Sequence, residues 1–347
     1  MAKNATSTAA PNHSAGVLTY VSDLTLGIRR RRSGKGFSYS WPDGRRVSNT
    51  ERLRIKKLGI PPAYEDVWIC PDPNGHIQAT GRDARGRKQY RYHPLWSATQ
   101  SETKYAELIG FGEALPAIRR RIARDLRGEA GDRNFSLAAL ILLLDQAHLR
   151  IGNPEYAAQN RSYGATTLLR RHLKFRDGAV RLSFRAKGGK PVQHILRDKR
   201  LHRILQQIND LPGRNLFTYL DEAGQPCSIG SAEVNAYLTQ GTGLRLTAKT
   251  FRTWGGTLAA FEYARGVAAD NPVTIRALAE AAAERLHNTP TICRKSYIHP
   301  AILDMGGMAP DKRNALLKDL TPVELPDLLE AERSLMSYLQ KHAARGV

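Results

Sequence analysis

Over the first ninety residues, apolar side chains come in short runs broken by turn chemistry. Phe37-Ser38-Tyr39-Ser40-Trp41 precedes Pro42-Asp43-Gly44, and Val67-Trp68-Ile69-Cys70 precedes Pro71-Asp72-Pro73-Asn74-Gly75. Such runs, rich in aromatic and β-branched residues and closed by Pro, Asp, Asn or Gly, predict strands. One helix interrupts them, from Asn49-Thr50 to Leu58, where Gly59 and Pro61 stop it. Lys88 to Tyr92 should add a strand, with Tyr90 and Tyr92 on one side and the cations Lys88 and Arg91 on the other. Residues 1–16, mostly Ala, Ser, Thr and Asn, bury little and read as a disordered tail. Residues 17–93 then form a small, mainly antiparallel, β-rich domain.

Residues 94–103, with Pro94 and few periodic apolar positions, read as a linker. Helical periodicity follows from Glu102 to Arg127 and from Ser136 to Arg150. A three-stranded sheet fits residues 172–196, with turns at Asp177-Gly178 and Gly188-Gly189. Further helices are expected over 198–209, 231–240, 248–264, 272–286 and 322–343. The fold class is α+β: a small β-rich N-terminal domain and a larger, mainly helical domain over residues 104–347 that carries a small three-stranded sheet. The longest apolar run, Leu137 to Leu144, stops at Asp145 and is too short to span a bilayer.

Composition narrows the partners. Against 32 Asp and Glu stand 53 Lys and Arg, a net charge of +21. A polyanion is the natural ligand, because each phosphate neutralised by Lys or Arg releases condensed counterions. No basic amphipathic helix or lipidation signal favours a membrane surface as that polyanion. The N-terminus lacks the apolar centre of a secretory signal, so a cytoplasmic location is expected. Cys70, Cys227 and Cys293 are far apart and form no C-x-x-C pair, which implies neither a disulfide framework nor a zinc site. No G-x-x-x-x-G-K-[ST] loop occurs and no acidic cluster of the kind that holds Mg²⁺ stands near the motifs below, so neither ATP nor metal is called for.

Several motifs occur in a fixed order. They are Pro61-Pro62-Ala63-Tyr64-Glu65-Asp66-Val67-Trp68-Ile69, the run from Ala79 to His93, Leu149-Arg150-Ile151-Gly152, Lys249-Thr250-Phe251-Arg252-Thr253-Trp254, and the stretch from His287 to Tyr297. In this order they resemble the type IB DNA topoisomerases, in particular the compact poxvirus-like and bacterial enzymes. The likeness covers nearly everything from Val17 to the C-terminus. It implies relaxation of supercoiled duplex DNA through a transient 3′-phosphotyrosyl bond, by a monomer that acts as a clamp around DNA.

The resemblance also assigns roles. Arg150 and Arg252 match the two phosphate-clamping arginines, Lys187 the general acid, Asn288 a position more often histidine, and Tyr297 the nucleophile. Tyr90, Tyr92, Lys88 and Gln89 match a motif laid against DNA near the cleavage site, Tyr156 a phosphate contact, and Lys249 an accessory cation.

Local chemistry agrees without choosing these residues by itself. Arg150 follows the most apolar helix, with Gly152 able to cap it, and a rigidly held guanidinium can bind two phosphate oxygens. Thr247 can cap a helix whose first turns hold Lys249 and Arg252, where a bound anion would offset the dipole. Lys187 sits on a hairpin tip, where lysines are commonly solvated, and Lys190 across the turn is its register alternative. The Asn288 amide can donate to a phosphate oxygen but cannot carry charge, and His287 reads as structural. The run Arg29 to Arg32 fits general phosphate contact. A tyrosine recombinase or integrase, or a non-enzymatic nucleic-acid-binding protein, are the other readings. Recombinases typically show His-x-x-Arg where this chain has Lys249-Thr250-Phe251-Arg252.

Overall fold

The computed structural model describes residues 18–345, and the tail expected over residues 1–16 lies outside them. Contacts divide the chain into two compact units that part between Lys104 and Tyr105.

The first unit is an antiparallel sheet with one helix. Its elements are β1 (Ile28–Ser33), β2 (Gly36–Ser40), α1 (Asn49–Lys57), β3 (Glu65–Ile69), β4 (Ile77–Arg82) and β5 (Lys88–Tyr92), in the spatial order β2-β1-β3-β4-β5. Ser48 caps α1 by accepting the Glu51 amide, and Gly59, at φ +59°, turns the chain away after Leu58. Ile55 from α1 closes a small core with Ile28, Val67, Ile69 and Ala79.

The helix α2 (Pro94–Asp125) begins eight residues before the expected Glu102, so residues 94–103 are helical rather than irregular. Proline costs nothing at a first helical position, where its missing N–H would have had no partner. The preceding His93 supplies the cap, its Nδ1 accepting the Leu95 amide at 3.2 Å.

In the second unit follow α3 (Arg133–Ala147), α4 (Pro154–Asn160), β6 (Leu173–Arg176), β7 (Ala179–Arg185), β8 (Pro191–Leu196), α5 (Lys199–Asp210), β9 (Thr218–Leu220) and β10 (Pro226–Ser228). Then come α6 (Ser231–Thr242), α7 (Ala248–Gly266), α8 (Ile275–Leu286), α9 (Pro290–Ser296), α10 (Pro300–Leu303), α11 (Pro310–Lys318) and α12 (Glu330–Arg345). The β6-β7-β8 sheet has the expected turns, with Asp177 and Gly178 both at positive φ, as a two-residue hairpin requires. The apolar α3 and α7 are buried along most of their length, and α3 packs against α5, α6 and α7.

The last helix belongs to this core. It starts at Glu330 rather than near residue 322, and it buries Leu335, Met336, Tyr338 and Leu339. Arg119 of α2 bridges Asp145 of α3 at 2.8 Å and Glu332 of α12 at 2.7 Å, and Trp254 of α7 donates to Glu332 at 3.2 Å. Four helices are thus pinned by one buried charge cluster. Burial opposes ionisation of Glu332, but the Arg119 guanidinium holds its carboxyl below the ordinary range.

Candidate active site

The helix α3 ends because His148 turns left-handed (φ 47°) and returns its amide to the Leu144 carbonyl. Gly152, expected to cap this helix, does not do so. Its positive φ (99°) instead lies where the chain crosses Gly164, at which a Cβ would meet the Arg150 carbonyl at 2.5 Å. Across that contact the Ala165 amide donates to Arg150 O and the Tyr163 amide to Arg185 O, both at 2.8 Å. One short segment therefore fixes both the Arg150 backbone and the end of β7.

Arg252 lies in the second turn of α7 and is 3% exposed. Its guanidinium donates to the His148 carbonyl and, at 3.2 Å, to the Leu286 carbonyl. These oxygens sit at the ends of α3 and α8, whose C-terminal dipoles carry partial negative charge and hold the cation without a carboxylate. The Arg252 Nε finds no partner among the described residues. The Tyr297 ring lies over this guanidinium, 4.9 Å from centroid to Cζ. Arg150 is half-buried and forms no ion pair or side-chain hydrogen bond among the described residues. Burial, and then the charge of Arg252, hold its pKa below the ordinary value, while Tyr297 acts in the opposite sense. Two guanidiniums without a counter-charge thus face one phenol.

Tyr297 terminates α9. Its amide returns to Cys293 O at 2.9 Å, and its carbonyl accepts from Thr257 Oγ1 at 3.2 Å. Gly256 lets α7 approach this point, since a Cβ there would stand 2.7 Å from Tyr297 O. Burial pushes the neighbouring Cys293 thiol up to about 11 despite Arg252 and Arg150, so that thiol stays protonated near neutral pH.

Asn288 follows a left-handed His287 (φ 46°) that ends α8. Its Oδ1 accepts the Thr289 amide at 3.0 Å, which orients the side chain, and its buried Nδ2 finds no acceptor among the described residues. A buried donor without an acceptor, two residues after the Leu286 carbonyl that Arg252 holds, suits an anion. Lys187 stands apart, exposed at the β7–β8 tip with no ion pair among the described residues, although Ala186 before it lines the same cleft as Arg150 and Arg252. Lys190 shares that tip, its carbonyl accepting the Ala186 amide.

Tyr156 on α4 and Lys249 on α7 are exposed. In the first unit, Tyr90 and Tyr92 stack at 5.9 Å and are 44% and 46% exposed, so they are not core residues. The expectation that Lys88 faces away from them is wrong. Residues 88, 90 and 92 share strand parity, and Lys88 lies over the Tyr90 ring at 5.5 Å while pairing with Asp23. Gln89 donates to Asp83, whose carboxyl the Arg87 guanidinium lowers to about 2. In the arginine run, Arg30 is committed to the Pro61 and Tyr64 carbonyls, and Arg29, Arg31 and Arg32 are exposed.

Sequence reasoning missed His148, His194 and the Gly255-Gly256 pair. The glycines carried a signal, because each costs about 1 kcal/mol in a helix interior unless something must approach closely. The histidines carried none.

Residues 36–83 match the family model described as bacterial DNA topoisomerase IB, N-terminal domain. Residues 93–302 match the model described as eukaryotic DNA topoisomerase I, catalytic core. The chain is 31% identical over 295 residues to DNA topoisomerase 1B of Acanthamoeba polyphaga mimivirus, covering 81% of this chain and 88% of that protein. It is 22% identical over 251 residues to DNA topoisomerase I of Monkeypox virus and to DNA topoisomerase 1B of Vaccinia virus, covering 70% of this chain and 76% of each.

Proposed function

The chain belongs to the type IB DNA topoisomerases, and from that membership we propose that it relaxes supercoiled duplex DNA through a 3′-phosphotyrosyl intermediate at Tyr297, without ATP or metal. Arg150 and Arg252 hold the non-bridging oxygens of one backbone phosphate, and the Asn288 amide donates to the same group as negative charge builds in the transition state. The Tyr297 oxygen bonds to phosphorus and the bond to the 5′-oxygen breaks. The phenol gives up its proton, and Lys187 delivers one to the departing oxygen, whose alkoxide would otherwise be a poor leaving group. The free strand swivels, and its 5′-hydroxyl reverses the step. One phosphodiester is exchanged for another, so religation draws on no external energy.

The observation that carries this reading is the buried, carboxylate-free Arg252 beneath the Tyr297 ring and beside Arg150. The charge of +21 supports duplex DNA as the substrate, and we extend the proposal to a monomer that closes on the duplex as a clamp. Tyr90, Tyr92, Lys88, Gln89, Tyr156 and Lys249 would supply further DNA contacts.

The test is to denature the protein during reaction with supercoiled plasmid in EDTA and without ATP. Mass spectrometry of the trapped adduct should place a 3′-phosphoryl DNA end on Tyr297, and Tyr297→Phe should give no adduct while still binding DNA. An adduct on another residue, or at a 5′ end, overturns the assignment.

A further inference from the structure

One group in the cleft has no part in the chemistry above. His194, on β8, lies opposite Leu182 in the register and so points to the inner face of the sheet, among Leu182, Phe184 and Val192. An apolar side chain would serve that face better, because the His194 Nε2 is buried without a partner among the described residues, which costs stability. The ring nevertheless has a specific neighbour. It meets His287 edge to face, with centroids 4.4 Å apart and planes at 79°. His287 is the left-handed residue whose turn presents Asn288.

We propose that His194 is a positioning residue for strand cleavage: its ring, set against His287, holds the left-handed turn that aims the Asn288 amide at the scissile phosphate. The contact also joins two parts of the site that are far apart in sequence. The β7–β8 hairpin carries Lys187, and the turn between α8 and α9 carries Asn288.

The groups around the ring require it to be uncharged. His287 faces it from the end of α8 and Arg252 from α7, His148 at the end of α3 lies within its electrostatic reach, and Arg150 lines the same cleft. Burial, then His287 and Arg252, hold the His194 imidazole down to about 4. A neutral aromatic wedge is what the site selects, so a phenyl ring should replace it.

This inference rests on the role proposed for Asn288, and a double-mutant cycle separates the two. Single-turnover cleavage of a short duplex and DNA affinity are measured for His194→Ala, His194→Phe, Asn288→Ala and the double variant His194→Ala with Asn288→Ala. His194→Ala should slow cleavage tenfold or more with affinity within about twofold. His194→Phe should restore the rate to within about threefold, and the double variant should be no slower than Asn288→Ala alone. If the alanine variant does not fold, as judged by its thermal melt, His194→Leu takes its place, filling the volume without the edge-to-face geometry. A normal rate in the His194→Ala or His194→Leu variant overturns the inference. So do failure of phenylalanine to rescue and losses that multiply. If Asn288→Ala itself cleaves normally, the phosphate role of Asn288 fails instead, and this inference falls with it.

Discussion

Adding one methyl group to α7 tests how closely the proposed nucleophile, Tyr297, is held. In Gly256→Ala the new Cβ would stand 2.7 Å from the Tyr297 carbonyl, 2.9 Å from Leu286 Cδ1 and 3.1 Å from Tyr297 Cβ. Ordinary contact begins at 3.4 Å, so the Tyr297 backbone must retreat by 3.4 − 2.7 = 0.7 Å. α7 cannot give way instead, because residues 251–260 are all buried. Helix propensity favours alanine over glycine by about 1 kcal/mol, whereas overpacking costs about 1–3 kcal/mol, so net stability should change little or fall by about 2 kcal/mol. Catalysis should suffer more. A displacement of about 1 Å costs roughly 10²-fold, so single-turnover cleavage should slow by about 10- to 100-fold. DNA affinity should stay near normal, since Arg150 and Arg252 do not move. Gly266→Ala is the control, because no atom stands within 4 Å of its added Cβ. A folded Gly256→Ala protein that cleaves at the native rate, or a Gly266→Ala protein that slows equally, would refute the reasoning.

Three further outcomes are expected. Lys187→Ala should slow cleavage by about 10²- to 10⁴-fold, and a substrate with a bridging 5′-thiolate, which leaves without a proton, should recover the rate; without recovery, Lys187 is not the acid. Asn288→His should cleave within about tenfold of the native rate, because either side chain donates to a phosphate oxygen, and an inactive variant would show the local geometry to be misread. Acid should destabilise the second unit well above the carboxylate range. His148 and His172 are held down to about 3 and about 4 by burial, so between pH 7 and 5 only the unfolded chain takes up their protons. Stability is then present above pH ~6.5 and is lost as pH falls, by about 2 kcal/mol for each of the two histidines. Urea melts at both pH values check this, and a flat profile would contradict it.

Much of the fold is written in local signals. The β6–β8 hairpins were legible because Asp177-Gly178 and Gly188-Gly189 are where positive φ is cheap, and α3 because its apolar run has few alternatives to burial. The short helices were not. α4, α9, α10 and α11 span seven, seven, four and nine residues, too few turns for periodicity to show. Their shared mark is a proline at the first position of each, Pro154, Pro290, Pro300 and Pro310, with a capping Asn153 or Thr289 before the first two, start signals that need no periodicity. Residues 94–103 failed for a related reason: their apolar positions are sparse, and Pro94 reads as a breaker unless the helix is known to begin there.

The site was legible only as an ordered set of side chains, because what makes it a site lies in the backbone. Nothing in Lys249-Thr250-Phe251-Arg252 says that Arg252 will meet carbonyls at the ends of α3 and α8 instead of a carboxylate, yet that choice governs the chemistry. A carboxylate partner would have cancelled the positive charge and left little for a phosphate. Helix-end dipoles, about half an elementary charge each, hold the guanidinium in place while leaving most of its field unspent. Arg150, half-buried at the margin of the same cleft without an ion pair among the described residues, adds a second uncancelled charge whose repulsion from Arg252 only an anion relieves. Stability alone would pair or separate these cations, so their persistence in one cleft, with Arg252 against the Tyr297 ring, fits the phosphate binding proposed for the site.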